Sequence, residues 1–154
     1  MDTFTTCLWF DTEGEEAAAL YTGLFPNSSI GSTTPYVGGE RDGQVMTVEF
    51  TVNRSPFLAL NGGPQFQFNE SVSFMVPCAD QAEVDRYWDA LTADGGQESQ
   101  CGWLKDKFGL SWQIVPTRLM ELTADPDVAP RVWPALFGMK KIIIADLEAA
   151  AAAG

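Results

Sequence analysis

Apolar positions along this chain follow one pattern that occurs twice, 67 positions apart. In each copy, four apolar residues have the i, i+3, i+4, i+7 spacing that predicts an amphipathic helix. The two stripes are Ala17, Leu20, Tyr21 and Leu24, and Val84, Tyr87, Trp88 and Leu91. The preceding segments, residues 3–10 and 70–77, are rich in β-branched, aromatic and other apolar residues and predict strands. Each copy therefore begins with a strand followed by a helix.

Polar residues predict where the two helices begin. Thr12 and Glu15 have the spacing of a capping box, and Asp80 and Glu83 have the same spacing in the second copy. The first helix is predicted to end near Pro26, and the second near residue 94, where two glycines follow.

Three more strands are predicted in each copy, separated by turns rich in glycine and asparagine. They cover residues 29–36, 44–52 and 56–61 in the first copy, and 97–103, 104–107 and 111–116 in the second. Each copy is therefore a βαβββ module, and the predicted fold class is α+β.

The linker between the copies, residues 65–69, is too short to separate domains. We therefore predict a single domain over residues 1–154, with module one at 3–63, module two at 70–116 and a helical tail at 117–154. One module has too little surface to close a core, so the two are predicted to share one sheet and form a cleft between them. The apolar tail predicts one or two short helices that dock on the chain's own sheet or on a partner subunit.

Net charge and composition limit the classes of binding partner and the kinds of catalytic site that the chain could have. The chain has a formal net charge of -12, which disfavours nucleic acid and anionic membrane surfaces and favours a small neutral or apolar ligand. It has no histidine, so the usual zinc sites, the usual catalytic triads and the easiest general base are excluded.

Cysteine usage and the N-terminus predict a cytoplasmic protein. Cys7, Cys78 and Cys101 are widely spaced and odd in number, as expected of reduced thiols rather than of a disulfide framework. The first residues lack the basic and apolar regions of a signal peptide. The apolar run at residues 142–144 is followed by Asp146 and Glu148, so it cannot span a bilayer.

Longer motifs carry a family resemblance. They are CLWFD at residues 7–11, EEAA at 15–18, YTGLFPNS at 21–28, FNE at 68–70, DQAEVD at 80–85, CGWLKD at 101–106 and GLSWQIVP at 109–116. These motifs resemble the PhnB-like proteins, often labelled 3-demethylubiquinone-9 3-methyltransferase, a branch of the vicinal oxygen chelate superfamily. The resemblance covers about residues 3–145. It implies that paired βαβββ modules form a curved mixed sheet around a cavity, and that the protein is a homodimer.

The resemblance also bears on metals and cofactors. In the metalloenzymes of this superfamily, ligands come from inward positions on the first and last strands of each module. Cys7 and Gln113 match two such positions, while the other two fall near Ser73 or Phe74 and near Leu58 or Ala59. Because two ligands do not make a divalent site, we predict no metal. No glycine-rich strand-to-helix turn for an adenosylmethionine-type methyl donor is present, so we predict no cofactor.

Aromatic side chains are the candidate ligand-binding residues. Trp9, Phe57, Trp103 and Trp112 lie on predicted strands and are expected to line the concave face, although core packing alone would also account for them. Alternation places Cys7 and Trp9 on one strand face, and Leu8 and Phe10 on the other.

Three residues are candidate catalytic groups. Gln113 is an amide between apolar neighbours that would need a partner if buried. Glu49 would act as a base if it pointed inward, whereas a solvated strand face is the commoner case. Cys7 is a candidate nucleophile or soft ligand, against the alternative of an inert buried thiol.

Three functions remain open from the sequence. The first is metal-independent binding of a small molecule in an aromatic-lined cleft, with or without turnover. The second is a metal-dependent lyase or dioxygenase-type enzyme that uses Gln113 and Glu49. The third is a non-catalytic sequestering protein like those of the bleomycin-resistance class.

Overall fold

A computed structural model describes residues 3–154, which form two compact units, residues 3–68 and 69–154. The first unit contains β1 (Thr6–Phe10), α1 (Gly14–Leu24), β2 (Ser29–Pro35), β3 (Val45–Val52) and β4 (Ser55–Asn61). The second contains β5 (Ser73–Cys78), α2 (Gln81–Thr92), β6 (Gln97–Glu98), β7 (Trp103–Lys105) and β8 (Ser111–Pro116), followed by α3 (Thr117–Thr123), α4 (Ala129–Phe137) and α5 (Ile144–Ala152). The α+β class and the two βαβββ modules are confirmed, while the single domain and the cleft between modules stay predictions.

Each module forms a four-stranded mixed sheet. The strand orders are β1-β4-β3-β2 and β5-β8-β7-β6, with the first pair parallel and the others antiparallel. Because β1 and β4 are parallel, as are β5 and β8, the first strand of each module lies beside its last strand. β2 is an edge strand with two register shifts along its pairing with β3.

Each helix packs on one face of its own sheet. The predicted stripe of α2 is fully confirmed, since all four of its residues are buried. In α1 the buried positions include Ala17, Tyr21 and Leu24, whereas Leu20 is only partly buried. Against these helices, the sheets bury the alternate side chains of their central strands, as expected for amphipathic layers.

The start of α1 differs from the prediction. Neither Thr12 nor Glu13 caps the helix with its side chain; instead the Gly14 N–H donates to Asn61 Oδ1, 2.7 Å away at the end of β4. A Cβ at residue 14 would lie 2.7 Å from that oxygen, so this approach requires glycine. The predicted cap of α2 is confirmed, because the Glu83 N–H donates to Asp80 Oδ1 at 2.9 Å.

The second half differs from the prediction in two places. The strand predicted at residues 97–103 is only two residues long, because a turn follows in which Cys101 and Gly102 adopt positive φ angles. The tail forms three helices rather than one or two. It packs on its own second unit through an apolar cluster that includes Val115, Leu119, Val132, Leu136, Ile142 and Leu147.

No helix within residues 3–154 combines the length and the apolar content needed to cross a bilayer.

Candidate functional site

Strand register divides each sheet into a face covered by the module's own helix and a distal face that points away from it. In β1, Leu8 and Phe10 are buried on the helix-covered face, whereas Cys7 and Trp9 lie on the distal face. This is the predicted alternation, and it is confirmed.

Two aromatic candidates lie on the wrong face for the predicted site. Phe57 pairs in register with Phe50, stacks on its ring with 5.3 Å between centroids and is 8% exposed. Trp112 pairs with Phe74 and Leu104 on the helix-covered face of the second sheet and is 4% exposed. The expectation that Phe57 and Trp112 share a concave lining with Trp9 and Trp103 is therefore wrong, since register assigns them to the core.

The distal face of the second sheet brings Trp103 and Gln113 together. Met75, Gln113 and Trp103 are direct cross-strand neighbours in one row over β5, β8 and β7. The Gln113 Nε2 group donates to Ser73 Oγ at 2.8 Å, which fixes the orientation of the amide. Gln113 Oε1 accepts no hydrogen bond from the described part of the chain. This row therefore presents an indole, a thioether and an oriented carbonyl oxygen.

A small pocket of about 120 Å³ lies beside this row. Its lining includes Glu70, Glu98, Ser99, Trp103, Lys105 and Ser111. Ser111 and Lys105 are direct cross-strand neighbours on the distal face. Ser111 is fully buried, and its hydroxyl has no hydrogen-bond partner within residues 3–154.

An ion pair neutralises most of the charge at this pocket. Lys105 Nζ lies 2.6 Å from Glu70 Oε1, and this hydrogen bond lowers the pKa of the Glu70 carboxyl. Both partners are partly solvated, so the pair positions the two groups but adds little to stability.

The distal face of the first sheet carries the other two catalytic candidates. Cys7, Leu58 and Glu49 form one row across β1, β4 and β3. Glu49 is exposed and accepts a hydrogen bond from Ser32 Oγ at 2.6 Å, so the solvated alternative holds and it is not a buried base. Desolvation raises the pKa of the Cys7 thiol, which disfavours the nucleophilic thiolate.

Trp9 is held by the loop that follows β4. Its Nε1 group donates to the Gly63 carbonyl at 2.8 Å, and its ring packs edge-on against Phe66. A Cβ at residue 62 would lie 2.3 Å from the indole, so only glycine fits there. Trp9 is thus anchored by the chain itself, and its role in ligand binding stays a prediction.

Sequence reasoning missed Ser111 and Lys105 as site residues. Alternation along 103–105 and 111–113 could have placed both on the face of Trp103 and Gln113, but the pairing of β7 with β8 was needed to make them neighbours. Sequence reasoning also missed the burial of Asp106, which is 3% exposed and accepts from the N–H groups of Phe108 and Leu110 and from Trp112 Nε1.

The donor set does not fit a divalent metal. The distal positions of β1, β4, β5 and β8 supply one thiol, one thioether, one amide and two hydroxyls, but no carboxylate or imidazole. Divalent cations in proteins are bound mainly by carboxylates, imidazoles and thiolates. Within residues 3–154, no three His, Cys, Asp or Glu side chains lie close enough together to hold a metal ion.

Comparison with known proteins decides the family. A family profile described as 3-demethylubiquinone-9 3-methyltransferase matches residues 2–115. The chain belongs to this PhnB-like family. The family lies in the vicinal oxygen chelate superfamily, as the sequence resemblance implied. No curated protein sequence matches the chain.

Solved structures agree with this assignment. A PhnB protein from Bacillus cereus is 31% identical, with a TM-score of 0.68 over 75% of this chain and 99% of its own. A Pseudomonas aeruginosa protein, 17% identical over 75% of this chain and 98% of its own, has a TM-score of 0.62. The fosfomycin resistance protein FosX from Listeria monocytogenes, 12% identical over 75% and 93%, has a TM-score of 0.51. The last two show the fold alone.

The methyltransferase description of the family finds no support in the fold's connections. β1 leads to α1 through residues 11–13, and β5 leads to α2 through Ala79 and Asp80, without a glycine-rich turn in either connection. Such a turn at a helix N-terminus is what commonly holds a nucleotide-like cofactor. The residues present therefore do not fit an adenosylmethionine-type methyl donor.

Proposed function

We propose that this PhnB-like protein binds a small, neutral and partly apolar molecule on the distal face of the second sheet, without a metal. The observation that carries the proposal is the row of Met75, Gln113 and Trp103. An indole and a thioether supply apolar contact, while an oriented amide supplies one directional hydrogen bond. Small-molecule sites commonly combine these two elements.

The polarity of Gln113 supports a ligand that donates a hydrogen bond. Its nitrogen is engaged by Ser73, so its orientation is set before any ligand arrives. An acceptor that is already oriented loses little conformational entropy on binding, which favours affinity. A hydroxyl or an N–H of the ligand would donate a hydrogen bond to the Gln113 side-chain carbonyl oxygen.

Charge supports a neutral ligand. The row itself carries no ionised group, and Lys105 and Glu70 in the adjoining pocket are paired with each other. The chain's net charge of -12 adds a field that opposes anionic ligands. Catalytic roles for Gln113, Glu49 and Cys7 stay predictions, as do the homodimer and the cytoplasmic location.

Nuclear magnetic resonance of the side-chain N–H groups tests this proposal directly. Titration with indole and phenol, two neutral aromatic probes, is expected to shift the Trp103 indole and the Gln113 amide signals. Trp133, which is exposed on α4, is the internal control, because it lies outside the row. Shifts confined to Trp133, or no shifts at any probe concentration, would contradict the proposal.

A matched pair of variants separates the amide's role from general loss of structure. Gln113→Leu keeps the volume but removes the carbonyl, and it is expected to weaken phenol binding about fivefold. Gln100→Leu, at an exposed position in the turn before β7, is expected to leave binding unchanged. Equal effects in both variants would argue that Gln113 does not contact the ligand. Native mass spectrometry of protein purified without chelator would then identify any retained organic mass or metal.

A further inference from the structure

We propose that the pocket beside Ser111 receives the polar head group of the ligand and that this head group is a neutral carboxamide. The inference rests on the proposed function, since it assigns a ligand class to the same face. It depends on a buried Ser111 hydroxyl without a partner, a pocket whose lining includes Ser111, and an ion pair that offers both a donor and an acceptor.

Ser111 is an unusual residue for its position. Its side chain is fully buried, and its hydroxyl makes no hydrogen bond within residues 3–154. Burying such a group without a partner costs free energy that alanine would avoid. A bound ligand group inside the pocket would supply the missing partner.

The pocket has the size of a head group rather than of a whole ligand. Its volume of about 120 Å³ accommodates a few non-hydrogen atoms. Trp103 lines both the pocket and the row with Gln113, so a ligand ring on the indole would place an attached head group beside Ser111.

The lining selects a group that both donates and accepts. The Lys105 ammonium and the Ser111 hydroxyl can donate to a carbonyl oxygen, and the Glu70 carboxylate can accept from an N–H. Glu98 also lines the pocket, but it pairs with Leu104 on the helix-covered face, where its carboxylate accepts from Trp88 Nε1 at 2.9 Å. The Lys105–Glu70 pair carries no net charge, so Glu70 disfavours an anionic head group and Lys105 disfavours a cationic one. A carboxamide meets both requirements without charge.

Three probes of nearly equal shape test the inference. Benzamide, benzoate and benzamidinium share the ring and differ in the charge and hydrogen bonding of the head group. We expect benzamide to shift the backbone N–H of Ser111 and the indole of Trp103, and to bind more tightly than either charged probe. Tighter binding of benzoate or benzamidinium would overturn the neutral class.

A matched pair of serine variants tests the contact. Ser111→Ala is expected to weaken benzamide binding about fivefold, the effect of one hydrogen bond. Ser55→Ala, which changes an exposed serine of β4 outside the pocket lining, is expected to have no effect. If Ser111→Ala binds benzamide as the parent does, Ser111 holds only water and the inference is wrong.

The outcomes also separate this inference from the proposed function. If indole and phenol shift Trp103 and Gln113 while benzamide leaves Ser111 unmoved, the site stands and the head-group pocket fails. If no probe of either set affects the distal face, the proposed function fails as well.

Discussion

The two modules share one pattern of apolar positions but begin their helices by different means. α2 is capped by Asp80, whose carboxylate accepts a hydrogen bond from the Glu83 N–H three positions later. α1 is capped by Asn61, which is 47 positions away at the end of β4 and also donates to the Val45 carbonyl at 3.1 Å. The repeat therefore preserves the packing of helix on sheet. The side chain that caps the helix N-terminus, in contrast, differs between the two copies.

The hairpins before the last strands differ in the same way. β3 and β4 are joined by a tight turn in which Asn53 and Arg54 have φ angles of 45° and 67°. β7 and β8 are joined by a longer loop that closes around the Asp106 carboxylate. One hairpin depends on backbone conformation, and the other depends on a buried charge.

The largest expected effect is at the second hairpin. Asp106→Ala leaves the N–H groups of Phe108 and Leu110 and the Trp112 indole without their acceptor, so we expect a loss of about 3 to 4 kcal/mol in the free energy of unfolding. Urea unfolding measures it. Asp125→Ala, which removes a similar but exposed turn contact to the Asp127 N–H, is the control and should cost less than about 1 kcal/mol. Equal losses would mean that burial of Asp106 adds nothing.

The next effect distinguishes the two helix caps. Asn61→Ala leaves the buried Gly14 N–H and the Val45 carbonyl without their hydrogen-bond partner. We therefore expect a loss of about 2 to 3 kcal/mol in the free energy of unfolding. Asp80→Ala removes a solvent-exposed cap and should cost about 1 kcal/mol. Both are measured by urea unfolding, with hydrogen exchange of α1 and α2 locating the change. A greater cost for Asp80→Ala would reverse the comparison.

Ser111→Ala is expected to increase the stability of the protein without ligand by about 1 kcal/mol, because it removes a buried hydroxyl that lacks a partner. Thermal unfolding measures the gain. Ser73→Ala is the control on the same face and should lose stability, because Ser73 Oγ accepts from Gln113. A destabilised Ser111→Ala protein would show that the hydroxyl is satisfied in the unliganded state.

The smallest expected effect is at the first hairpin. Arg54 adopts a left-handed conformation that glycine adopts without strain, so Arg54→Gly removes that strain. Glycine also gives the unfolded chain more freedom, which offsets part of the benefit, and we expect a net gain of about 0.5 kcal/mol in the free energy of unfolding. Chemical unfolding at matched protein concentration detects it. Ser55→Gly at the adjacent extended position should lose stability instead, and a gain there would remove the conformational explanation.

Sequence reasoning succeeded where the signal is local and periodic. The α2 stripe, the Asp80 cap and the bounds of β8 follow from spacing alone. It failed where contacts join distant residues. Nothing near Thr12 indicates that Asn61 replaces it as the cap, and nothing near Asp106 indicates that Trp112 will cover it.

The same division holds for the candidate site. Alternation correctly grouped Cys7 with Trp9, because one strand suffices for that inference. The faces of Phe57 and Trp112 depend on which residue of each strand faces the helix, and an aromatic residue is equally compatible with either face. Ser111 became a candidate only when its burial was known, since a serine in a strand carries no signal by itself.

The irregular pairing of β2 has a consequence for self-association. A regular edge strand offers evenly spaced N–H and C=O groups on which strands of other molecules can assemble. In β2, register shifts between Ile30 and Thr33 and between Thr34 and Pro35 break that spacing, and Pro35 has no N–H to offer. We therefore expect β2 to be a poor template for the strands of other molecules.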